Sequence, residues 1–256
     1  MTLDKVAVRN AAQYINDSRS ITVLTGAGIS TDSEIPDYRG PNGVWTKNPA
    51  AERASTLQHY VADPELRRAA WKVRANSPIW EAQPNSGHYA LLQLERSSKL
   101  NLLVTQNVDG LHIKAGSDPD RLVEIHGSVR NVVCLSCDYR APMQAALDRV
   151  RSGEPDPACP ECTGILKSST ISFGQSLVET DLIRSQAAAE SCDLLLAVGS
   201  TLSVGPINRM VPIAKSAGAN VVIVNGEPTE MDHYADVVVG GSISQVLPQI
   251  LSPSTP

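Results

Sequence analysis

Four cysteines fall in two tight pairs, Cys134-Leu-Ser-Cys137 and Cys159-Pro-Glu-Cys162, with 21 residues between them. A C-x2-C turn aims two sulfurs at one point, and two such turns complete a tetrahedral four-sulfur site. Four protein ligands leave no open position, so the spacing predicts one structural zinc ion rather than a catalytic one. Redox chemistry would normally use a single such pair at a helix start. A second centre is Gly26-Ala27-Gly28-Ile29-Ser30, which follows Thr25 at the end of the expected buried strand Ile21–Leu24. Glycines after a strand let the backbone approach a pyrophosphate, with exposed N–H groups complementing its charge. A tight turn would carry the same glycines, and Thr31 stands where a third would fall, which counts against an ordinary nicotinamide dehydrogenase. Gln106, Asn107 and Asp109 follow the run Leu102–Val104, and Glu124-Ile-His-Gly127 sets His126 at a strand end. Imidazole ordinarily titrates near pH 6.5, which suits it to general base work.

These groups need rigid elements behind them. Val8, Ala11, Ala12 and Ile15 lie on one face of a helix, and Ile207, Met210, Val211 and Ala214 repeat that spacing. Strands are expected at Ile21–Leu24, Leu102–Val104, Leu122–Ile125, Leu194–Val198, Val221–Val224 and Val237–Val239, with a closing helix over Ser242–Leu251. Strands alternating with helices imply right-handed crossovers and a parallel sheet. Two segments break the alternation: Asn42–Pro84, which holds Trp45, Trp71 and Trp80, and the cysteine region. Both read as insertions that form a smaller lobe, and Cys192 reads as a small buried hydrophobe.

Composition bounds the function. The chain has 256 residues, 42% of them hydrophobic and 19% charged, which is globular rather than disordered. With 22 basic against 27 acidic residues the net charge is −5, which speaks against nucleic-acid binding by phosphate neutralisation. The first twenty residues carry no basic cluster followed by an apolar block, and no apolar run approaches the ~20 residues that span a bilayer. A cytoplasmic location without membrane or nucleic-acid partners is expected; oligomeric state is left open.

The stretch Gly26-Ala-Gly-Ile-Ser-Thr31, then Ile35-Pro-Asp-Tyr-Arg-Gly40, then Gly43-Val-Trp45 resembles the first signature of the sirtuins. Further blocks follow in that family's order: Thr105-Gln-Asn-Val-Asp-Gly-Leu-His112, Glu124-Ile-His-Gly127, Gly199-Ser-Thr-Leu202 through Val204-Gly-Pro206, Val224-Asn-Gly226 and Ala235-Asp-Val-Val238. The cysteine quartet sits in its expected place, so the resemblance spans about residues 20–250. It implies a bacterial-type NAD-dependent protein-lysine deacylase: an α/β fold with a Rossmann-like parallel sheet, helices on both faces, and a small zinc-ribbon and helical lobe. The large part would cover about 1–41, 85–126 and 169–256, and the small lobe about 42–84 and 127–168. The acyl oxygen would attack the ribose C1′ of NAD, and the products would be nicotinamide, free lysine and 2′-O-acyl-ADP-ribose. Partners would be acyl-lysine proteins or peptides, and the cofactors NAD and one structural Zn2+.

Residue roles carry over by position. His126 matches the base, with Asn107 beside it in the catalytic set. NAD would be held by Gly26, Ala27, Gly28, Ser30, Asp37, Tyr38, Arg39, Trp45, Gln106, Asn107, Val108 and Asp109, the last accepting from the nicotinamide carboxamide. Gly199, Ser200, Thr201, Asn225, Gly226 and Glu227 match the adenosine half. Ser172-Phe173-Gly174 and Ser203-Val204-Gly205 match the strands between which substrate peptide inserts, with Phe173 lining the acyl-lysine tunnel. Three positions depart from the pattern: Glu34 for the usual Gly, Tyr38 for the commoner Phe, and Gln175 for the usual Glu. Desuccinylases of the family carry a Tyr-x-x-Arg pair, and the best match here is Trp71-Lys-Val-Arg74. In it Arg74 could pair a carboxylate but Trp71 has the wrong donor geometry, so Trp71 and Arg74 are candidate acyl contacts and an acetyl or longer apolar chain is at least as well supported. The alternatives are a protein ADP-ribosyltransferase using the same pocket and a non-enzymatic NAD-sensing scaffold, which would have no need of His126.

Overall fold

A computed structural model describes residues 3–38, 40 and 43–252, apart from the side chains at 49 and 50; Arg39, the expected diphosphate contact, lies outside the described residues. The expected first helix is α1 (Lys5–Asp17), whose N-terminal N–H groups at Val6 and Ala7 donate to the Asp4 carboxylate. The strands are β1 (Ile21–Thr25), β2 (Leu100–Thr105), β3 (Leu122–Glu124), β4 (Gly127–Cys134), β5 (Arg140–Pro142), β6 (Leu166–Thr170), β7 (Leu194–Val198), β8 (Asn220–Asn225) and β9 (Val237–Gly240). The helical insertion comprises α2 (Val44–Lys47), α3 (Pro49–Ala54), α4 (Leu57–Ala62) and α5 (Pro64–Ala75). It is followed by α6 (Ser86–Arg96), α7 (Leu111–Ala115), α8 (Met143–Arg151), α9 (Glu179–Ser191), α10 (Met210–Ser216) and α11 (Ile243–Leu251).

Six strands form one sheet in the order β3-β2-β1-β7-β8-β9, every pair parallel. β1 and β7 are buried along their whole length, as strands covered by helices on both faces should be. The pleat divides them. Ile21, Val23, Leu194, Leu196 and Val198 join the core with residues of α1, α6 and α11. Leu24, Leu195, Ala197, Val221 and Ile223 join the opposite core with Ala188, Ala189, Met210, Val211 and Ala214 of α9 and α10. The strand order reverses between β1 and β7, and ligands bind outside the carboxyl ends of strands at such a switch point.

The second sheet is antiparallel, β5-β4-β6. Its core takes Trp71 and Ala75 from α5, Met143, Ala146 and Leu147 from α8, and Cys134, Cys159 and Leu166 from the cysteine module. Two polar ties join the helical insertion to that module: Tyr60 Oη donates to the Leu166 carbonyl at 2.9 Å, and Arg67 pairs with Asp156 at 3.0 Å. Among the described residues no helix is long and apolar enough to cross a membrane.

Glu34 has φ 64°, in the left-handed region, where it closes the 3-10 turn Ala27–Ser33. A side chain there costs roughly 1–2 kcal/mol, partly offset because glycine loses more entropy on folding. Glu34→Gly is therefore expected to raise stability by about 0.5–1 kcal/mol, read as a higher midpoint in urea at unchanged m-value.

Candidate active site

The loops after β1, β2, β7 and β8 surround one cavity of about 1370 Å3. That exceeds the roughly 300–1,000 Å3 of a site for one drug-sized ligand. The glycines after β1 work differently from the sequence expectation. Gly26 N–H donates to the Val198 carbonyl at 2.9 Å and Gly28 N–H to Gly199 at 2.8 Å, so neither points at a phosphate. Their value is close approach: a Cβ on Gly26 would stand 2.7 Å from the Gly199 carbonyl oxygen. The two switch-point loops thus touch backbone to backbone and form the cavity floor.

At one end His126 lines the cavity, with Nδ1 3.0 Å from the Gln106 carbonyl. A proton on Nδ1 would be donated to that carbonyl, which makes Nε2 the basic nitrogen. Gln106 Nε2 donates to Ser200 Oγ at 2.9 Å, joining the β2 and β7 loops. Asn107 is 6% exposed, its Nδ2 donating to the Gly26 carbonyl (3.0 Å) and to Ser30 Oγ (3.2 Å). Ser30 Oγ donates to Asp109 Oδ2 at 2.7 Å, and Leu111 N–H to Asp109 Oδ1 at 2.8 Å. Burial pushes the Asp109 carboxyl above its ordinary value, against the opposing pull of these hydrogen bonds and of Arg130. Ser30 and Asp109 do not line the cavity themselves: Ser30 holds Asn107 from behind, and Asp109 holds Ser30.

Tyr38, Trp45 and Phe173 form an aromatic wall, with ring centroids 4.8 Å and 5.5 Å apart in turn. Asp37 also lines it, its Oδ1 accepting from Gly40 N–H. The stretches at Phe173 and Val204 both reach the cavity, yet neither is a strand: Phe173 is held by a single bridge to Thr56, and Ser172 turns onto Gln175. Ala27, Val108, Gly199, Ser200, Thr201, Asn225, Gly226 and Glu227 line the remaining walls. Amide and hydroxyl groups suit ribose hydroxyls, and the Glu227 carboxylate just beyond β8 suits an unphosphorylated ribose. The residues present therefore fit a dinucleotide lying across the switch point.

Trp71 is wholly enclosed in the small-lobe core and does not reach the cavity, so it is no acyl contact. Arg74, one turn on, does line it. Sequence reasoning missed Tyr60, Lys167, Ser168 and Thr170, which share that wall.

Behind the site, His112 Nε2 lies 3.1 Å from Thr25 Oγ1 and bears out its expected bracing of the loop. Its ring packs 4.9 Å from that of His88. Burial lowers the His88 imidazole to about 4, and burial together with His88 holds His112 well below its ordinary value. Unfolded histidines bind protons first on acidification, so stability is complete above about pH 6.5 and falls as pH drops toward 4. His88 alone should contribute a slope of about 1.4 kcal/mol per pH unit in that window, and His112 adds with the same sign. Urea melts between pH 4.5 and 7.5 are expected to show a shallower slope in His88→Gln than in the wild type; equal slopes would exclude His88 as a contributor.

The four cysteine sulfurs lie within 4.8 Å of one another, with Cys134–Cys162 at 3.5 Å and Cys137–Cys159 at 3.7 Å. Tetrahedral zinc with bonds of about 2.3 Å requires sulfurs about 3.8 Å apart, so the quartet fits the ion. Ser136 N–H donates to Cys134 Sγ at 3.3 Å, an arrangement that favours a thiolate.

Fold and site define a dinucleotide-binding α/β protein whose second lobe is built on a four-cysteine metal centre. The Sir2 family profile matches residues 26–206, and the chain belongs to the Sir2 family. It is 43% identical over 231 residues to "NAD-dependent protein deacetylase 2" of Streptomyces coelicolor, covering 90% of this chain and 96% of that one. It is 39% identical over 244 residues to "NAD-dependent protein deacetylase" of Sulfolobus acidocaldarius, covering 95% and 94%. A solved Sir2 enzyme superposes with a TM-score of 0.88 at 35% identity, covering 97% of both chains.

Proposed function

We infer that the protein is an NAD-dependent protein-lysine deacetylase. Its relatives bear that name, and a similar solved structure, at 27% identity, holds a Sir2 protein with a p53 peptide and NAD+. The observation that carries the reading is His126, set by the Gln106 carbonyl on the wall of a cavity at the strand-order switch point. Bound NAD supplies a glycosidic bond whose cleavage releases nicotinamide and opens the ribose C1′ to the acyl oxygen. Asn107, locked by Gly26 and Ser30, orients the nicotinamide end, with Asp109 anchoring Ser30. His126 accepts a proton at Nε2. Tyr38, Trp45 and Phe173 cover the reacting end and keep water from it. Asn225 and Glu227 hold the adenosine half beyond β8.

With this reading go a single catalytic domain, its large part and small lobe divided as the two sheets suggest, and a cytoplasmic location, where thiols stay reduced and a four-cysteine site keeps its zinc. Purified protein given NAD and an acetyl-lysine peptide should release nicotinamide and deacetylated peptide in equal amounts, with acyl-ADP-ribose seen by mass spectrometry. ADP-ribosylated protein without acyl-ADP-ribose would overturn it.

A further inference from the structure

A buried polar seam lies behind the cavity floor, and the reaction above gives it no part. His88 of α6 and His112 of α7 are 0% and 2% exposed, with ring centroids 4.9 Å apart. Each ring commits one nitrogen outward. Asn85 N–H donates to His88 Nδ1 at 3.3 Å, and His112 Nε2 lies 3.1 Å from Thr25 Oγ1. The other two nitrogens, His88 Nε2 and His112 Nδ1, are buried with no hydrogen-bond partner.

The tautomers follow from these partners. Both rings are neutral at pH 7, since burial lowers His88 to about 4 and, together with His88, holds His112 well below its ordinary value. Because His88 Nδ1 accepts from Asn85, the His88 proton sits on Nε2. A proton on His112 Nδ1 would then leave two buried donors without an acceptor, each carrying its full desolvation penalty. A proton on His112 Nε2 instead frees Nδ1 to accept from His88 Nε2–H, directly or through one buried water. It also makes Nε2 the donor to Thr25 Oγ1, so the whole chain of donors runs one way, from Asn85 to Thr25.

That chain grips the loop after β1 at both ends. His112 takes its start at Thr25. Asn85 takes its far end, Nδ2 donating to the Ile29 carbonyl at 2.8 Å and to Ser33 Oγ at 2.9 Å. Between them stand Gly26 and Ser30, the two groups that receive Asn107 Nδ2. The Thr25 carbonyl accepts from Gln106 N–H at 2.9 Å, and the Gln106 carbonyl in turn faces His126 Nδ1. We propose that His88 is a positioning residue: its Nε2–H donates to His112, and the histidine pair so fixes Thr25 and Asn85 that Asn107 and His126 are held in register at the nicotinamide end of the cavity. The proposal rests on the deacetylase reading and adds to it a residue that touches neither substrate nor NAD.

His88→Leu, close in volume but without either polar atom, should lower kcat with NAD and an acetyl-lysine peptide about tenfold. Its affinity for ADP-ribose, measured by calorimetry, should stay within about twofold of wild type, because that ligand lacks the nicotinamide that Asn107 orients. His88→Gln, whose amide can accept from Asn85 and donate to His112, should recover most of the lost kcat. A leucine variant within about twofold of the wild-type kcat overturns the proposal. So does a parallel loss of ADP-ribose affinity, which makes His88 a general structural residue, or a glutamine variant no better than leucine. Long-range proton–nitrogen NMR spectra of the wild type test the chain without any variant, and decide it if His88→Leu does not fold: both rings protonated at Nε2 support it, and a proton on His112 Nδ1 overturns it. If the wild type turns over no acetyl-lysine peptide, the deacetylase reading fails by itself. The affinities of His88→Leu for NAD and ADP-ribose then decide the seam, a loss for NAD alone supporting it and equal changes overturning it.

Discussion

His126→Ala is expected to lower NAD-dependent deacetylation by about 10²–10⁴-fold, the usual contribution of a positioned acid or base. The ring sits where β3 gives way to β4, and the Gln106 carbonyl at 3.0 Å from Nδ1 fixes its tautomer. Nothing else of comparable basicity on that wall is placed to take over: Asp109 is turned away onto Ser30 and Leu111, and Lys167 is turned onto the Ser168 and Thr170 carbonyls of β6. Because His126 is only half-buried and outside the core clusters, the variant should fold, keep its zinc and retain most of its affinity for NAD. His126→Gln separates the two roles of the ring. Its amide can still donate to the Gln106 carbonyl but cannot accept a proton at neutral pH, so it should be as inactive as the alanine. Activity within tenfold of wild type in either variant would remove the base assignment.

The sheet was legible because its strands are buried on both faces. Leu194–Val198 and Val221–Val224 are unbroken apolar runs, and only a parallel sheet between helices asks for them. The metal centre was legible for a similar reason: sulfur spacing is a property of the local chain, and four thiols have few other uses in that pattern. What depends on packing between distant segments was not. α9 buries only Ser185, Ala188 and Ala189, so no large apolar stripe announces it. The glycines after β1 were visible, but whether their N–H groups face a ligand or a neighbouring loop is decided by β7, about 170 residues away. Trp71 and Arg74 read together only through the spacing of the family's Tyr-x-x-Arg pair. The structure sends one into the core and the other to the cavity. Lys167 illustrates the limit most clearly. In Leu166-Lys-Ser-Ser-Thr170 it resembles an ordinary solvated lysine, and only the closure of β6 against α4 and α5 buries it.

Cys137→Ser is expected to collapse the small lobe and, with it, activity, although no cysteine lines the cavity. Binding of structural zinc by a four-ligand site is worth roughly 10–16 kcal/mol at neutral pH, comparable to the whole stability of about 5–15 kcal/mol that an ordinary domain has. Losing one of four thiolates therefore threatens the fold rather than a local contact. The sulfur positions tie that energy to specific packing: Cys134 and Cys159 are core members with Trp71, Met143 and Leu147. The effect then travels along the ties to the helical insertion. Tyr60 loses the Leu166 carbonyl, Arg67 loses Asp156, and α4 with α5 is released from the zinc module. Those helices lead back to Ser55–Leu57, which anchors Phe173 through Phe173 N–H to the Ser55 carbonyl and Leu57 N–H to the Phe173 carbonyl. Releasing them moves the aromatic wall and Arg74 together. Chelation of the wild type should thus abolish deacetylation in parallel with a loss of far-UV dichroism from the insertion, and added zinc should restore both. Zinc content by elemental analysis and thermal melting decide the matter: a variant with full zinc occupancy and wild-type Tm would show that Cys137 is not a ligand, because three remaining sulfurs cannot close the tetrahedron that holds this lobe together.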